Sequence, residues 1–263
     1  MICLMMRRIK EWLRKIPGIF GLAPSSVMAF ICAIFSLKFV SLFRFFMDFR
    51  KYKSRLLGKH KFLLLPCLND CTSVTPIDQW GFYQHAWAAK MIFNIKPGKV
   101  VDVGSSALLI GIISQYVETE SIDIRPIPAA IPNLTCRRGS ILNLPYLDGS
   151  VECLMSLSVI EHIGLGRYGD QLDPNGIHAA VVEIQRVIKP GGHLVLSVPV
   201  GPPGIVFNAH RIFSKEEFLS MFSGFKLREE MFIYPGFHGS PFSSSQIRPG
   251  EHCVYCVHLS RSI

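Results

Sequence analysis

An α/β fold built on a doubly wound, mostly parallel sheet is predicted for this chain by three observations. From Pro76 onward, short apolar runs alternate with stretches whose apolar residues recur at helical spacing. A small-residue turn, Asp102-Val-Gly-Ser-Ser106, follows the first apolar run. An acidic residue, Asp123, closes the second run, 21 residues after Asp102.

The elements follow in order. Asp78–Phe93 has helical spacing, and Pro97-Gly98 stops it. Lys99–Val103 is a short apolar strand, Ala107–Tyr116 a helix, and Glu120–Ile124 a second strand halted by Pro126. Val151–Leu157 is a further strand. Gly176–Ile188 is a helix ended by Lys189-Pro-Gly-Gly192, and His193–Val198 follows as a buried strand. Lys215–Phe222 is helical, and Phe225–Tyr234 and His252–Leu259 make a closing pair of strands. On such a sheet a ligand binds beyond the C-terminal strand ends, near the switch point. No internal repeat appears.

The net charge of +9 is unevenly placed. Residues 1–61 hold 13 Lys/Arg against Glu11 and Asp48, whereas residues 62–263 hold 15 Lys/Arg against 17 Asp/Glu. Residues 1–61 therefore form a basic, apolar helical arm, and residues 76–263 a nearly neutral domain. A nucleic-acid reader carries its basic patch on the reading domain, so no nucleic-acid partner is expected. Ile16–Leu37 is uncharged for 22 residues, close to a bilayer's requirement, but Pro17, Gly18, Gly21 and Pro24 interrupt its first third. Three readings stay open for the arm: a spanning or re-entrant anchor, a Phe-rich interfacial helix with a basic rim, and helices packed on the globular domain. No convincing cleavage site for a signal peptide follows the apolar stretch. The expected location is cytoplasmic, with membrane association through residues 1–61 if the arm anchors.

The eight cysteines are scattered. Cys253-Val-Tyr-Cys256 has the spacing of a metal or redox pair but reads as a strand. Residues three apart on a strand face opposite sides, so buried free thiols are expected. No metal site is expected, because no His or Cys set has ligand spacing.

A strand-to-helix turn that lets a ligand touch backbone needs small residues, which Gly104, Ser105 and Ser106 supply. Asp123 can accept both hydrogen bonds of a ribose diol, unless it merely pairs with Arg125. The Gly-x-Gly-x-x-Gly of dinucleotide dehydrogenases is absent.

Five segments, Val100–Ser105, Ser121–Ile124, Leu144–Ser150, Ser156–His162 and Val187–Leu194, occur in an order that resembles class I S-adenosylmethionine-dependent methyltransferases. Within that superfamily Ser156–Asp170 and Phe207–Ser214 look most like a methyltransferase-like group of unknown function. The resemblance spans Trp80 to Gly236. It implies a Rossmann-like sheet of the class I type with S-adenosylmethionine as cofactor. Asp102, Val103, Gly104, Ser105 and Ser106 would then cradle its methionine part, Asp123 its ribose and Ile124 its adenine. Ser140 and Ile141 would lie by the adenine amino group, and Ser158 near the cofactor at the fourth strand end. Two residues depart from the pattern: Ser106 stands for the usual second glycine, and Ser140 for the usual acid of the adenine loop.

Methyl transfer requires alignment of the acceptor and, for a hydroxyl or amine, a base. Glu161 and His162 follow the fourth strand on the ligand side, and His162 or His210 has the chemistry of a general base. Arg211 is a candidate anion clamp. Arg167 and Tyr168 sit in a glycine-rich stretch, Gly164–Asp173, suited to a mobile substrate loop. The expected function is a methyltransferase acting on a small-molecule or glycan acceptor, a sugar or glycolipid precursor near a membrane. The alternatives are a non-catalytic module of the same fold and a nucleotide-binding sugar-modifying enzyme of another class.

Overall fold

The computed structural model describes residues 24–234 and 250–263, with side chains from Phe39 onward. The chain divides into two units, Met1–Pro76 and Ile77–Ile263. In the first, one helix, α1 (Pro24–Arg55), is followed by an irregular stretch to Pro76. Among the described residues no helix is long and apolar enough to cross a membrane. The side chains of the predicted span Ile16–Leu37 lie outside the described residues, and residues 16–23 lie outside them altogether.

The second unit is built on alternation. Its elements are α2 (Gln79–Ile95), β1 (Lys99–Val103), α3 (Ala107–Ile113), β2 (Glu118–Asp123), β3 (Leu134–Arg138), β4 (Val151–Leu157), a 3-10 turn (Ile160–His162), α4 (Gly176–Val187), β5 (Ile188–Val200), β6 (Gly204–Val206), β7 (His210–Ile212), α5 (Lys215–Ser220), β8 (Phe225–Ile233) and β9 (Cys253–Arg261). Seven strands form one sheet in the order β3-β2-β1-β4-β5-β9-β8. The first five run parallel, and β9 is antiparallel to both of its neighbours. The order reverses between β1 and β4, which places the switch point there.

Period-2 alternation assigns each strand residue to a face. Val101, Val103, Leu154, Leu194 and Leu196 pack with Ile177, Val181 and Ile184 of α4. Val100, Cys153, Met155 and Val195 pack on the other side with Trp87, Met91 and Ile92 of α2 and Leu109 and Ile113 of α3. The two faces are therefore covered by helices, as a parallel sheet requires. Cys253 and Cys256 are buried in these two opposite clusters without a disulfide between them, so they cannot share a ligand.

Several boundaries differ from expectation. Helix α2 ends where Lys96 turns left-handed (φ 52) before Pro97. Lys189–Gly192 does not end α4 as a turn but lies inside β5, which begins at Ile188. The ladder shifts register there, pairing Val151 with Ile188 but Cys153 with His193, so the expected breaker is a bulge. Strand β3 and the small β6–β7 ladder appear where no strand was expected.

Candidate functional site

The site opens at the C-terminal ends of β1, β2 and β4, on either side of the switch point. Gly104 leaves β1 with φ +71 and donates its N–H to Ile122 O at 3.1 Å. A Cβ there would press on the Val159 methyls at 3.1–3.2 Å. Only glycine combines this backbone with so close an approach.

Beneath the turn sits Asp102, fully buried. Its Oδ2 accepts the Ser105 N–H at 3.4 Å and the Ser121 hydroxyl at 3.2 Å, while Oδ1 has no partner. Burial pushes its pKa up to about 7. Ser105 is tied down as well, its Oγ accepting the Leu157 N–H at 3.0 Å, and Ser106 stands at the N-cap position of α3 without a side-chain cap bond. Asp102 and Ser105 thus shape the turn from behind, and none of the three lines the cleft wall, whereas the resemblance had all three cradling the cofactor. The wall itself takes Val103 and Gly104.

The cleft encloses about 900 Å³, its open mouth included. Asp123 stands across from Gly104: its Oδ1 accepts the Arg125 N–H at 2.7 Å, and its Oδ2 lies 3.6 Å from where a Gly104 Cβ would be. The Arg125 guanidinium does not pair with it but rests on the Tyr168 ring, 4.3 Å from the centroid. Ile122, Ile124, Ile141 and Leu142 make an apolar slot beside Asp123, and Ser140 edges it with its Oγ accepting the Leu142 N–H at 3.2 Å.

Ser158 follows β4 in a left-handed conformation (φ 53), uncommon for a residue with a Cβ. Three bonds hold it: its N–H donates to Ser197 O and Oγ at 3.0 and 2.9 Å, and its hydroxyl accepts from Gln84 Nε2 at 2.7 Å. Gln84, on α2, also donates to the Ser197 hydroxyl. It was not among the expected residues. Its signal is a lone amide on the stripe Gln84, Trp87, Ala88 and Met91, where every neighbour is apolar and buried.

The 3-10 turn then splits the acid–base candidates. Glu161 is 3% exposed, with Oε1 3.7 Å from His162 Nε2 and Oε2 unpartnered, and burial pushes its pKa up to about 8. His162 lines the cleft. Its Nδ1 lies 2.6 Å from the carbonyl of Ala209, which can only accept, so Nδ1 carries the proton and Nε2 presents a lone pair. Burial lowers the His162 pKa, so the ring is neutral near pH 7. His210 is outside the wall, its ring centroid 6.5 Å from that of His162. Arg211 is buried and donates to Ile163 O, so it braces the turn rather than facing the cleft.

The Gly164–Asp173 stretch folds around one carboxylate: Asp170 accepts the N–H groups of Gly164, Gly166 and Tyr168 at 2.9–3.3 Å. Tyr168 reaches the wall, edge-on to His162 at 5.4 Å. Arg167 is exposed, 5.0 Å from the Tyr168 centroid, and donates to Ala209 O at 3.1 Å. Among the described residues no group of three or more metal-ligating side chains occurs.

Comparison with known proteins accords with this geometry. Residues 144–235 match DUF268, described as a Caenorhabditis protein of unknown function. A search of curated proteins finds no match. Among solved structures, a geranyl diphosphate methyltransferase in complex with S-adenosylmethionine superposes with a TM-score of 0.50 at 14% identity, covering 67% of this chain and 85% of the other. A second structure of that enzyme, with geranyl diphosphate and sinefungin, gives 0.50 at 15%, covering 67% and 78%. A Galdieria sulphuraria protein provisionally named a sarcosine dimethylglycine methyltransferase gives 0.50 at 15%, covering 69% and 86%. The strand order, the cleft at the switch point and these superpositions establish that residues 77–263 have the class I methyltransferase fold, within which residues 144–235 match a family of unknown function.

Proposed function

We propose that the chain is an S-adenosylmethionine-dependent methyltransferase whose acceptor is a hydroxyl-bearing small molecule, a sugar or glycolipid precursor. The observation that carries the reading is Asp123 facing Gly104 across an otherwise apolar slot. A carboxylate there suits a ribose diol, a glycine backbone suits a chain passing close by, and the Ile124/Ile141 slot suits an adenine ring. When bound, the cofactor supplies an electrophilic methyl group. The residues of this chain align the acceptor and manage its proton. His162 Nε2 is the base: with Nδ1–H fixed on Ala209 O, its lone pair accepts the acceptor's proton. Tyr168, Gln171 and Asp173 bring an aromatic face and hydrogen-bonding groups to the same wall, which suits a sugar.

A membrane surface belongs to the proposal as a partner. Helix α1 exposes Phe39, Phe43 and Phe46 along one side, continued towards its C-terminus by Arg50 and Lys53, with Arg44, Lys51 and Arg55 along another. It thus offers apolar rings and basic charge together to an anionic interface. Flotation with vesicles rich in phosphatidylserine should carry the chain, and a chain left at the bottom of the gradient removes this part.

The alternative, a non-catalytic module, draws on Ser140, whose hydroxyl is already engaged by Leu142 and leaves the slot without the usual acid. Incubation with cofactor labelled in the methyl group and a panel of sugars and lipid-linked sugars decides between the two. Label transferred by the wild type but not by His162→Ala supports the enzyme; no transfer to any acceptor, with cofactor bound, favours the module.

A further inference from the structure

The charges around the cleft are unequally spent. Each nearby carboxylate of the Gly164–Asp173 stretch is held by backbone amides: Asp170 accepts three N–H groups, and Asp173 accepts that of Asn175 at 2.9 Å. The arginines are not neutralised in return. Arg125 and Arg167 lie against the same ring, Tyr168, at 4.3 and 5.0 Å from its centroid. Neither has a carboxylate within ion-pair distance among the described residues. Arg167 is exposed, and its Nη1 donates to Ala209 O, the carbonyl that also fixes His162, and lies 3.3 Å from His162 Nδ1. Two guanidiniums thus lie against one aromatic ring, which is itself edge-on to His162.

Guanidiniums that rest against an aromatic ring and have no carboxylate partner retain N–H groups for hydrogen bonding, and their fork matches the oxygens of a phosphate or carboxylate. A neutral acceptor would leave this arrangement without use, whereas an anionic one would be drawn in and oriented by it. We propose that the acceptor carries an anionic group, a phosphate or a carboxylate, bound by Arg125 and Arg167 at Tyr168, so that its hydroxyl is presented to His162. The assignment rests on the methyltransferase reading of the same cleft. It replaces Arg211, which is buried against Ile163 O, as the anion-reading residue.

The test uses the full chain saturated with S-adenosylhomocysteine and three probes of similar shape: phenyl phosphate, benzoate and phenol, each followed by ligand-observed NMR. An anionic probe should bind at least about tenfold more tightly than phenol. The Arg125→Gln/Arg167→Gln double variant should bring it back to the level of phenol. Both arginines are exposed, so the variant keeps the fold, and circular dichroism verifies this. Preference for phenyl phosphate assigns a phosphate, and preference for benzoate a carboxylate. Equal binding of all three probes overturns the proposal, as does an anion preference that survives in the double variant. If S-adenosylhomocysteine itself fails to bind, the methyltransferase reading falls, and the same titrations on the unloaded protein still decide whether an anion is read here.

Discussion

At Gly104 the fold's demands on one residue can be measured separately from its chemistry. Gly104→Ala forces a Cβ into a left-handed conformation and against Val159, which should cost about 1–3 kcal/mol in urea unfolding. Val159→Ala in the same background should recover the steric part only. His162 yields a second prediction. Its replacement by Gln should lower turnover by roughly 10²–10⁴-fold and leave S-adenosylhomocysteine affinity unchanged, as for a base that does not hold the cofactor. Because burial holds its pKa below the usual histidine value, wild-type activity should be half-maximal below about pH 6.5 and level off above neutrality. A rate still rising above pH 7.5 or so would assign the base elsewhere. Asp123 and Ser158 were legible because a strand end followed by a small or acidic residue is a sequence feature. Gln84 was not read, because its local signal, one amide on an apolar stripe, says nothing of partners 74 and 113 positions away.

Among the elements, the Gly164–Asp173 stretch shows how composition and structure part. Three glycines among polar residues read as mobility, yet Asp170 gathers three amides and gives the stretch a fixed shape. Asp170→Ala should therefore raise amide exchange at Gly164, Gly166 and Tyr168 without lowering the melting temperature much, since few apolar contacts are lost. Unchanged exchange would show that the glycines hold the turn unaided. Strand β3 escaped notice because it is a half-exposed edge strand, Leu-Thr-Cys-Arg-Arg, with little apolar signal. The Lys189–Gly192 bulge was taken for a stop because proline and glycine signal both, and only pairing with β4 distinguishes them.

For the molecule as a whole, two sets of buried groups bound the pH range of stability. Asp102 and Glu161 have folded pKa values of about 7 and about 8, above their unfolded values near 4, so their contribution is full below about pH 4 and is lost as pH rises through 7–8. The neighbouring His193 and His258 on β5 and β9, 3.0 Å apart, have lowered values, that of His258 about 4. Stability tied to them is retained above about pH 6.5 and lost as pH falls towards 4. Between about pH 4 and 6.5 the two sets oppose each other. The melting temperature should therefore fall chiefly between about pH 6.5 and 8, where only the acids still titrate, and Glu161→Gln should flatten that fall. A fall unchanged in that variant would show that Glu161 is not the group titrating. The topology was legible because alternating strands and helices leave one economical sheet.

The central claim is that the slot between Gly104 and Asp123 holds S-adenosylmethionine, and calorimetry with S-adenosylhomocysteine tests it most directly. The account predicts one site per chain, weakened about tenfold or more by Asp123→Ala through loss of a charge-assisted pair of hydrogen bonds. Heats no different from dilution at millimolar ligand, or binding untouched by that substitution, would contradict it.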